Sequence, residues 1–281
     1  MKYEKAKSDS MTTPSVPKKV APIDCGEINQ LIAAKHGWML VNRNDYYIGR
    51  SIIEFGEFSE GEIDVFTQLL RPGSIVVEAG ANIGTHTVPL GKLVGPQGKV
   101  ICFEPQRIIF QTLCANIALS SLTNVVAHWN GLGESHGSLF VPNIDYAAQQ
   151  NFGGISLEKF EEGERVPIMT LDDLELTRLD MLKADVEGME LSVLKGGKNT
   201  IEACRPVLYL ECDRKDRAAD LINYLFDLNY VCHWHRPPMF NPNNFFENPV
   251  NPFGNVASFN ILAVHPDRKI VIQGMPLVER P

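Results

Sequence analysis

Glu78-Ala-Gly-Ala-Asn-Ile-Gly84 is the stretch of this 281-residue chain that decides the fold. It connects a short β-branched run at 74–79 with a segment at 84–94 whose apolar residues recur at helical spacing. A glycine-containing loop between a strand and a helix is typical of a βαβ unit, in which successive strands run parallel. The stretch therefore predicts a strand and the helix after it in a parallel α/β sheet.

Strand and helix patterns continue to alternate along the chain. Further strands are predicted at 99–103, 125–129, 181–184, 207–210, 230–234 and 258–264, and helices at 106–119, 189–201 and 216–228. No helical pattern separates the last two strands, so one of them is expected to run antiparallel. The pattern predicts a doubly wound α/β sheet that is mostly parallel, with one antiparallel edge strand and helices on both faces.

The remaining stretches divide the chain into regions. We expect a flexible leader at 1–23, a hairpin and helix extension at 24–70, an α/β domain at 71–265 with insertions at 137–165 and 236–255, and a carboxyl-terminal tail at 266–281. Within the extension, Asn44-Asp45 is a predicted hairpin turn. Ser59-Glu-Gly-Glu62 is a predicted capping box at the start of a helix.

The composition is that of an ordinary soluble globular protein, with 44% apolar and 21% charged residues. A net charge of −8 offers no attraction to nucleic acid or anionic lipid, so neither is an expected partner. The sequence has no apolar run of about 18 residues and no signal-peptide core near its amino terminus, which favours a cytoplasmic protein without a membrane span. The six cysteines are expected to be reduced.

The loop at 78–84 differs from a dinucleotide-binding fingerprint. Gly80 permits a sharp turn and Gly84 lets the next helix pack close to the strand, but Asn82 stands where the fingerprint has its second glycine. That glycine lets a pyrophosphate approach the helix amino terminus, and the acidic Glu78 further disfavours a phosphate. An acid suits a cationic ligand, and S-adenosylmethionine carries both an ammonium and a sulfonium group.

A second acid follows one strand later. Glu104, just before Pro105, ends the strand at 99–103, where such folds place the residue that accepts hydrogen bonds from ribose hydroxyls. Acids in this order on adjacent strands indicate a nucleoside-binding site. The residues predicted to bind the nucleoside ligand are Glu78, Ala79, Gly80, Ala81, Asn82, Gly84, Glu104, Pro105, Asn130 and Asp185.

Three ordered motifs resemble the FkbM family of methyltransferases: Glu78-Ala-Gly-Ala-Asn-Ile-Gly-Thr-His-Thr87, Phe103-Glu-Pro105 and Leu182-Lys-Ala-Asp-Val-Glu-Gly-Met-Glu190. One departure is Glu78, where the family commonly has Asp. The resemblance covers 37–265, nearly all of the predicted folded part. It implies a Rossmann-like, seven-stranded methyltransferase sheet, S-adenosylmethionine as methyl donor, and transfer to oxygen, often a sugar hydroxyl of a glycan or natural product.

Methyl transfer to a hydroxyl requires an aligned acceptor and a base or metal ion that helps to remove its proton. Asp185 and Glu187 are the leading catalytic candidates, because an i, i+2 pair at the end of the strand at 181–184 projects in one direction. Glu211 ends the next strand and could bind the acceptor, and His233 is an alternative base. A helix cap at Asp185 and a surface acid at Glu211 are the structural alternatives. Such carboxylates suit Mg²⁺ or Mn²⁺, but their spacing does not require a metal and none is predicted.

The insertion at 236–255 is rich in Pro, Asn and Phe and is predicted to cover the acceptor. Its phenylalanines, which are Phe240, Phe245, Phe246 and Phe253, could stack on a sugar ring or could only plug the edge of the sheet.

The preferred function is an S-adenosylmethionine-dependent O-methyltransferase that acts on a sugar, glycan or polyketide-like small molecule. Two other functions stay open on these residues. One is a nicotinamide-dependent oxidoreductase of the Rossmann type, which is disfavoured by Asn82 and by the lack of an evident hydride-transfer pair. The other is a non-catalytic nucleoside-binding module.

Overall fold

The computed structural model describes residues 20–281, so most of the predicted leader at 1–23 lies outside the described residues. The first elements are three short strands, β1 (Ile23–Cys25), β2 (Asn29–Ala34) and β3 (Gly37–Asn42), which form an antiparallel sheet in that order. Two helices follow, α1 (Ile48–Phe55) and α2 (Glu60–Leu69).

The predicted hairpin turn at Asn44-Asp45 is wrong. The hairpin joins β2 to β3 and turns at Lys35-His36. Asp45 instead precedes α1, and its Oδ1 accepts two backbone N–H hydrogen bonds from the next residues, at 3.1 and 3.2 Å. The apolar residues from Ile48 to Phe55 recur every three or four positions, so one side of a helix can be buried there. The predicted hairpin would have placed a strand in this stretch instead of a helix.

Helix α2 is present as predicted, but its capping box does not form. Ser59 has a left-handed backbone (φ 51°), and its hydroxyl donates a 2.9 Å hydrogen bond to Glu62 Oε1 rather than accepting one from the helix backbone. The same oxygen accepts a 3.1 Å hydrogen bond from Asn260 Nδ2. The side chain of Glu62 therefore turns towards a buried polar cluster and away from the helix end.

The strands and helices downstream alternate as predicted, except that the predicted helix at 189–201 is interrupted at Gly197 and forms two helices. The strands are β4 (Ile75–Ala79), β5 (Lys99–Phe103), β6 (Val125–His128), β7 (Gly131–Leu132), β8 (Gly137–Val141), β9 (Glu164–Met169), β10 (Met181–Ala184), β11 (Val207–Glu211), β12 (Val231–His235) and β13 (Asn260–Val264). The helices are α3 (Thr87–Val94), α4 (Arg107–Leu119), α5 (Glu190–Gly196), α6 (Lys198–Cys204) and α7 (Lys215–Asp227). Within residues 20–281 no helix has the length and apolar character needed to cross a membrane.

Seven strands form the main sheet in the order β12-β13-β11-β10-β4-β5-β6. Neighbouring strands are parallel except at β13, which pairs antiparallel with β11 on one side and with the edge strand β12 on the other. The predicted fold class, a Rossmann-like, mostly parallel seven-stranded sheet with one antiparallel edge strand, is confirmed except for the place of the antiparallel strand, which is β13. The antiparallel strand lies one position inside the edge.

Helices cover both faces of this sheet, as predicted. Along β4, Val77 lies in an apolar cluster with residues of α5, α6 and α7, such as Val193. Val76 lies in a second cluster with residues of α2 and α3, such as Phe66 and Leu90. Successive side chains of a strand point to opposite faces, so β4 is buried on both sides. The loop that follows β4 therefore starts from a rigid position.

A small sheet and the carboxyl-terminal tail accompany the main sheet. Strands β7, β9 and β8 form a separate three-stranded sheet, and β8 and β9 are the antiparallel arms around the predicted insertion at 137–165. The carboxyl-terminal tail runs along the outer side of β12, where Trp234 N donates to Pro276 O at 2.8 Å and Val278 N donates to Cys232 O at 2.9 Å. The tail covers backbone groups that an edge strand would otherwise expose.

Candidate active site

A cleft of about 780 Å³ opens at the carboxyl ends of the parallel strands. Its walls include the residues that follow β4, β5 and β10, which are Gly80, Glu104 and Asp185, and Glu211 at the end of β11. A smaller cavity adjoins the cleft at Glu104 and Asp185 and extends to Asn130. This is the edge at which doubly wound sheets bind their ligands.

Gly80 is required by the backbone that passes beside it. Its φ is +77°, and a Cβ atom at this position would overlap with the backbone oxygen of Asp185. The N–H groups of Gly80 and Ala81 donate to the carbonyl oxygen of Phe103 at 3.0 and 2.9 Å. The loop is therefore fixed between the ends of β5 and β10, and the space at Gly80 is occupied by protein.

The middle of the same loop faces the cleft. Ala81 and Asn82 line it, and Asn82 has a left-handed backbone with φ 49°. Gly84 is turned away, because a Cβ atom there would lie 2.8 Å from Leu113 Cδ1. Gly84, one of the residues predicted to bind the ligand, instead allows the loop to pack against α4.

Glu104 is held by the backbone at the junction of the two cavities. Its Oε2 accepts a 2.9 Å hydrogen bond from Asn82 N, and its Oε1 accepts a 2.8 Å hydrogen bond from Gln106 N. The residue is 4% exposed, and burial raises the pKa of its carboxyl to about 7, although the two backbone hydrogen bonds oppose this shift. Each carboxylate oxygen can accept more than one hydrogen bond, so Glu104 can also receive hydroxyls of a bound molecule.

Glu78 and Ala79 lie beneath the loop, fully buried and outside the lining of the cleft. Glu78 Oε2 accepts a 2.6 Å hydrogen bond from Thr87 Oγ1, and Oε1 lies 3.9 Å from Lys183 Nζ. Burial raises the pKa of Glu78 to about 7. The prediction that Glu78 faces a cationic ligand is therefore corrected: alternation along β4 directs this side chain into one face of the sheet, and its cationic neighbour is Lys183.

Lys183 is a cleft residue to which sequence reasoning gave no role. It is 2% exposed and lines the cleft floor, with Nζ 3.4 Å from Asp185 Oδ2. Burial disfavours the ammonium, but the carboxylates of Asp185, Glu78 and Glu62 outweigh that effect and raise the pKa of Lys183 to about 12. A lysine inside the apolar run Met181-Leu-Lys-Ala184 was the available signal, because a buried charge in a central strand needs a partner.

Glu62 is a second missed residue, and it reaches the cleft from α2. Burial raises the pKa of its carboxyl, and His86 Nε2 lies 3.5 Å from its Oε2. Its partner Asn260 donates in turn to the hydroxyl oxygen of Tyr209 at 2.9 Å, and that hydroxyl lies 2.7 Å from His235 Nδ1. A continuous polar network therefore supports this wall of the cleft.

Asp185, Glu187 and Glu211 converge in the cleft, as their positions in the sequence predict. One carboxylate oxygen of each lies within 4.8 Å of those of the other two. Arg214 forms an ion pair with Glu187. Burial and the charge of Asp185 raise the pKa of Glu187 to about 7, and the same two causes raise the pKa of Glu211. A carboxyl group with a pKa near neutrality, such as that of Glu187, can exchange a proton with a hydroxyl near the working pH.

His233 is not brought to this site. It is buried in the middle of β12, where its Nδ1 lies 3.2 Å from the carbonyl oxygen of Met275 in the carboxyl-terminal tail, and it is outside the lining of the cleft. Its prediction as a base is corrected, because a side chain inside the strand is covered by the tail. Pro105 and Asn130 do line a cavity, the smaller one next to Glu104.

The phenylalanines of the insertion at 236–255 pack against α1 and leave the cleft to other residues. The ring of Phe240 lies 5.4 Å from that of Phe55, and the ring of Phe253 lies 6.0 Å from it. A Cβ atom at Gly56 would lie 2.8 Å from carbon atoms of both Phe245 and Phe246. These rings fix the insertion to the amino-terminal extension and do not line the cleft, which favours a packing role over stacking on an acceptor.

The outer wall of the cleft is instead formed by residues before and after those phenylalanines. Trp234, Arg236, Met239 and Phe259 line it. The guanidinium carbon of Arg236 lies 4.8 Å from the ring centre of Trp234 and 5.1 Å from that of Phe259. The cation is therefore held between two aromatic rings at the cleft wall.

Comparison with known proteins gives the same assignment as the motifs. Residues 78–232 match the methyltransferase FkbM domain. Similar curated proteins include Methyltransferase 1 of Beauveria bassiana (33% identity; 44% of this chain and 58% of the relative), methyltransferase sdnD of Sordaria araneosa (32%; 45% and 61%) and the hexuronic acid methyltransferase AglP of Haloferax volcanii (28%; 53% and 61%). The matched segments span about three-fifths of the length of these relatives.

Solved structures of methyltransferases are also similar. Methyltransferase FkbM from Methylobacillus flagellatus KT has 22% sequence identity and a TM-score of 0.49, with 69% of this chain and 45% of that chain covered. The SAM-dependent O-methyltransferase from Thermotoga maritima has 14% identity and a TM-score of 0.44, with 74% and 65% covered. The domain match begins at the end of β4, reaches β12 and includes Glu104, Asp185 and Glu211 of the cleft, from which we conclude that this chain belongs to the FkbM family of methyltransferases.

Proposed function

We propose that this protein is an S-adenosylmethionine-dependent O-methyltransferase whose acceptor is a hydroxyl of a sugar, glycan or polyketide-like small molecule. The observation that carries the proposal is Glu104, a buried carboxylate fixed by Asn82 N and Gln106 N where two cavities meet. A carboxylate at the end of the strand next to the glycine loop is suited to accept hydrogen bonds from two ribose hydroxyls.

The residues around Glu104 fit a nucleoside better than a dinucleotide. The smaller cavity is lined by apolar groups such as Phe103 and Leu132 together with Asn130, which suits a flat base with polar edges. Asn82 stands where a dinucleotide fingerprint has its second glycine, and the carboxylates of Glu104 and Asp185 line the same part of the cleft, where they would repel a pyrophosphate. This charge arrangement supports the methyl donor over the nicotinamide cofactor of the alternative function.

When bound, S-adenosylmethionine supplies a methyl group made electrophilic by its sulfonium. Glu104, Ala81 and Asn82 would hold it, with the base directed to Asn130. The protein must then orient the acceptor and remove its proton. Glu187 and Glu211 are placed to assist removal of that proton, since both carboxylates line the cleft.

The acceptor would occupy the wall formed by Trp234, Arg236, Met239 and Phe259. Aromatic faces pack on the apolar face of a sugar ring, and carboxylates accept hydrogen bonds from its hydroxyls. One relative is named a hexuronic acid methyltransferase, which supports a sugar as the acceptor to test first.

Calorimetric titration with S-adenosylhomocysteine and, separately, with NADH tests the donor site. We expect saturable binding of the homocysteine compound and none of NADH, and the reverse result would refute the assignment. Incubation with methyl-labelled S-adenosylmethionine and a panel of glycosides, followed by mass spectrometry, tests the transfer. Asp185→Asn and Glu187→Gln should lower turnover more than donor affinity. A protein that binds the donor but whose activity is unchanged in both variants would contradict the assigned chemistry.

A further inference from the structure

The three carboxylates that converge in the cleft have the spacing of ligands around a single cation. Asp185 and Glu187 follow β10, and Glu211 ends β11, the next strand in the sheet. One oxygen of each lies within 4.8 Å of those of the other two. Oxygen ligands surround a calcium-sized ion at about 2.3–2.6 Å, so ligands on opposite sides are up to about 5 Å apart. One ion can therefore reach all three oxygens.

Glu211 supplies an independent reason to expect a ligand at this position. Its Oε2 is fully buried and has no hydrogen-bond partner within residues 20–281, although the side chain lines the cleft. Buried polar atoms are nearly always partnered, because a buried atom that has lost its water costs free energy. Glu211 therefore has one buried carboxylate oxygen without a partner beside two other carboxylates, and a cation bound among the three would satisfy it.

The cations already present do not meet this requirement. Lys183 Nζ lies 3.4 Å from Asp185 Oδ2, and Arg214 pairs with Glu187 and with Asp213. In the part of the chain that the structure describes, no lysine, arginine or histidine nitrogen lies within 4.0 Å of a Glu211 oxygen. Arg214 is 40% exposed, so it can leave Glu187 for solvent at little cost.

We propose that Asp185, Glu187 and Glu211 bind one divalent cation of the oxygen-preferring class, Mg²⁺, Mn²⁺ or Ca²⁺, in the cleft. Such an ion would neutralise the three carboxylates and leave coordination positions open towards the cavity, where hydroxyl oxygens of an acceptor can bind. The site itself stands without the proposed function. Its role in holding the acceptor hydroxyl rests on that function.

The experiment uses Mn²⁺ as the probe, with the full chain freed of metals by chelation and desalting. Titration followed by electron paramagnetic resonance of free Mn²⁺ should show one saturable site per chain, from which Mg²⁺ or Ca²⁺ displaces the probe. Glu211→Gln and Asp185→Asn should weaken binding by more than about tenfold, since each removes a charged ligand of nearly the same shape. Asp213→Asn is the matched control, a cleft carboxylate outside the cluster, and it should stay within about twofold of the unaltered chain.

Arg214→Gln distinguishes the cation site from a site that arginine already fills. On the proposal this variant binds Mn²⁺ more tightly, because Glu187 is released from its ion pair. Binding by Arg214→Gln alone would identify Arg214 as the resident cation and overturn the proposal. So would the absence of saturable binding up to about 1 mM, the weak end of protein calcium sites, or equal binding by Glu211→Gln. Thermal unfolding of each variant verifies that it is folded.

The outcome is separable from that of the proposed function because neither donor nor acceptor is present. A chain that binds Mn²⁺ but not S-adenosylhomocysteine keeps the cation site and loses the function. A chain that binds S-adenosylhomocysteine but not Mn²⁺ keeps the donor site of the proposed function and loses the cation site.

Discussion

Glu104→Ala tests whether one carboxylate both binds the ribose of the ligand and stabilises the fold. The side chain accepts backbone N–H hydrogen bonds from Asn82 and Gln106 at 2.9 and 2.8 Å, and it faces the junction of the two cavities. Hydrogen bonds to a charged group contribute about 1.5–3 kcal/mol each, so loss of the ribose contact should weaken S-adenosylhomocysteine binding by about 1–3 kcal/mol, or about fivefold to 150-fold. Two buried N–H groups also lose their acceptor, which should lower the free energy of unfolding by about 1–3 kcal/mol each.

Two further variants separate these effects. Glu104→Gln keeps one carbonyl oxygen, so it should recover about half of the stability lost in Glu104→Ala but should still weaken the binding of S-adenosylhomocysteine. Glu78→Gln is the matched control, because Glu78 is as deeply buried and its pKa is also about 7, but its side chain lies outside the lining of the cleft. It should lower stability and leave the affinity within about twofold.

Calorimetric titration with S-adenosylhomocysteine and urea unfolding give the two quantities for each variant. Wild-type affinity in a folded Glu104→Ala protein would refute the ribose assignment. Equal loss of affinity in Glu78→Gln and Glu104→Gln would show that the ligand senses charge at a distance, or that Glu78 contacts it after all.

Gly80→Ala should lower the free energy of unfolding by more than about 4 kcal/mol, because the new Cβ atom overlaps with backbone. The control is Gly26→Ala, which has a similar φ of +80° but no atom within 4 Å, and it should lower the free energy of unfolding by only about 1–2 kcal/mol. Equal losses of the two variants in urea unfolding would contradict this reasoning. Lys183→Met removes the buried cation between carboxylates and should cost about 3–5 kcal/mol, so a loss below about 1 kcal/mol in urea at pH 8 would argue against the ion pairs. The pKa values of Glu78 and Glu104 rise from 4.5 to about 7 on folding. Between these two pH values the folded chain therefore keeps protons that the unfolded chain has released. The stability that these protons contribute is complete below pH 4.5 and is lost as the pH rises through about 7. Urea unfolding at pH 5 and pH 8 measures this loss, Glu104→Gln should reduce it, and an unchanged pH dependence in that variant would show that Glu104 titrates normally.

Local patterns were sufficient for the main sheet. The strands at 99–103 and 181–184 have the predicted bounds because mainly apolar runs this short, between turn signals, favour a buried strand over a helix. The stretch around Asn44-Asp45 failed because short apolar groups fit both strand alternation and helical spacing. Burial against the rest of the protein decided for the helix α1, and a single sequence window does not contain that information.

The candidate site was predictable where its residues follow strand ends. Asp185 and Glu211 lie at the carboxyl ends of neighbouring parallel strands, so topology alone brings them together. Glu62 was missed because its partner Asn260 is 198 residues away, and no local pattern links α2 to β13. His233 was misplaced because the sequence does not show that the carboxyl-terminal tail covers β12.

The close approach of Gly80 to the backbone oxygen of Asp185 has a consequence for how such an enzyme could diversify. Asp185 N also donates to Ala79 O at 3.1 Å, so main-chain atoms alone join the loop after β4 to the end of β10. The register between these two parts of the cleft does not depend on any side chain of the outer wall. Substitutions at Trp234, Met239 or Phe259 can therefore reshape the wall without disturbing that register. Sequence change confined to this wall would alter which acceptor fits, while the backbone that positions the transfer site stays the same.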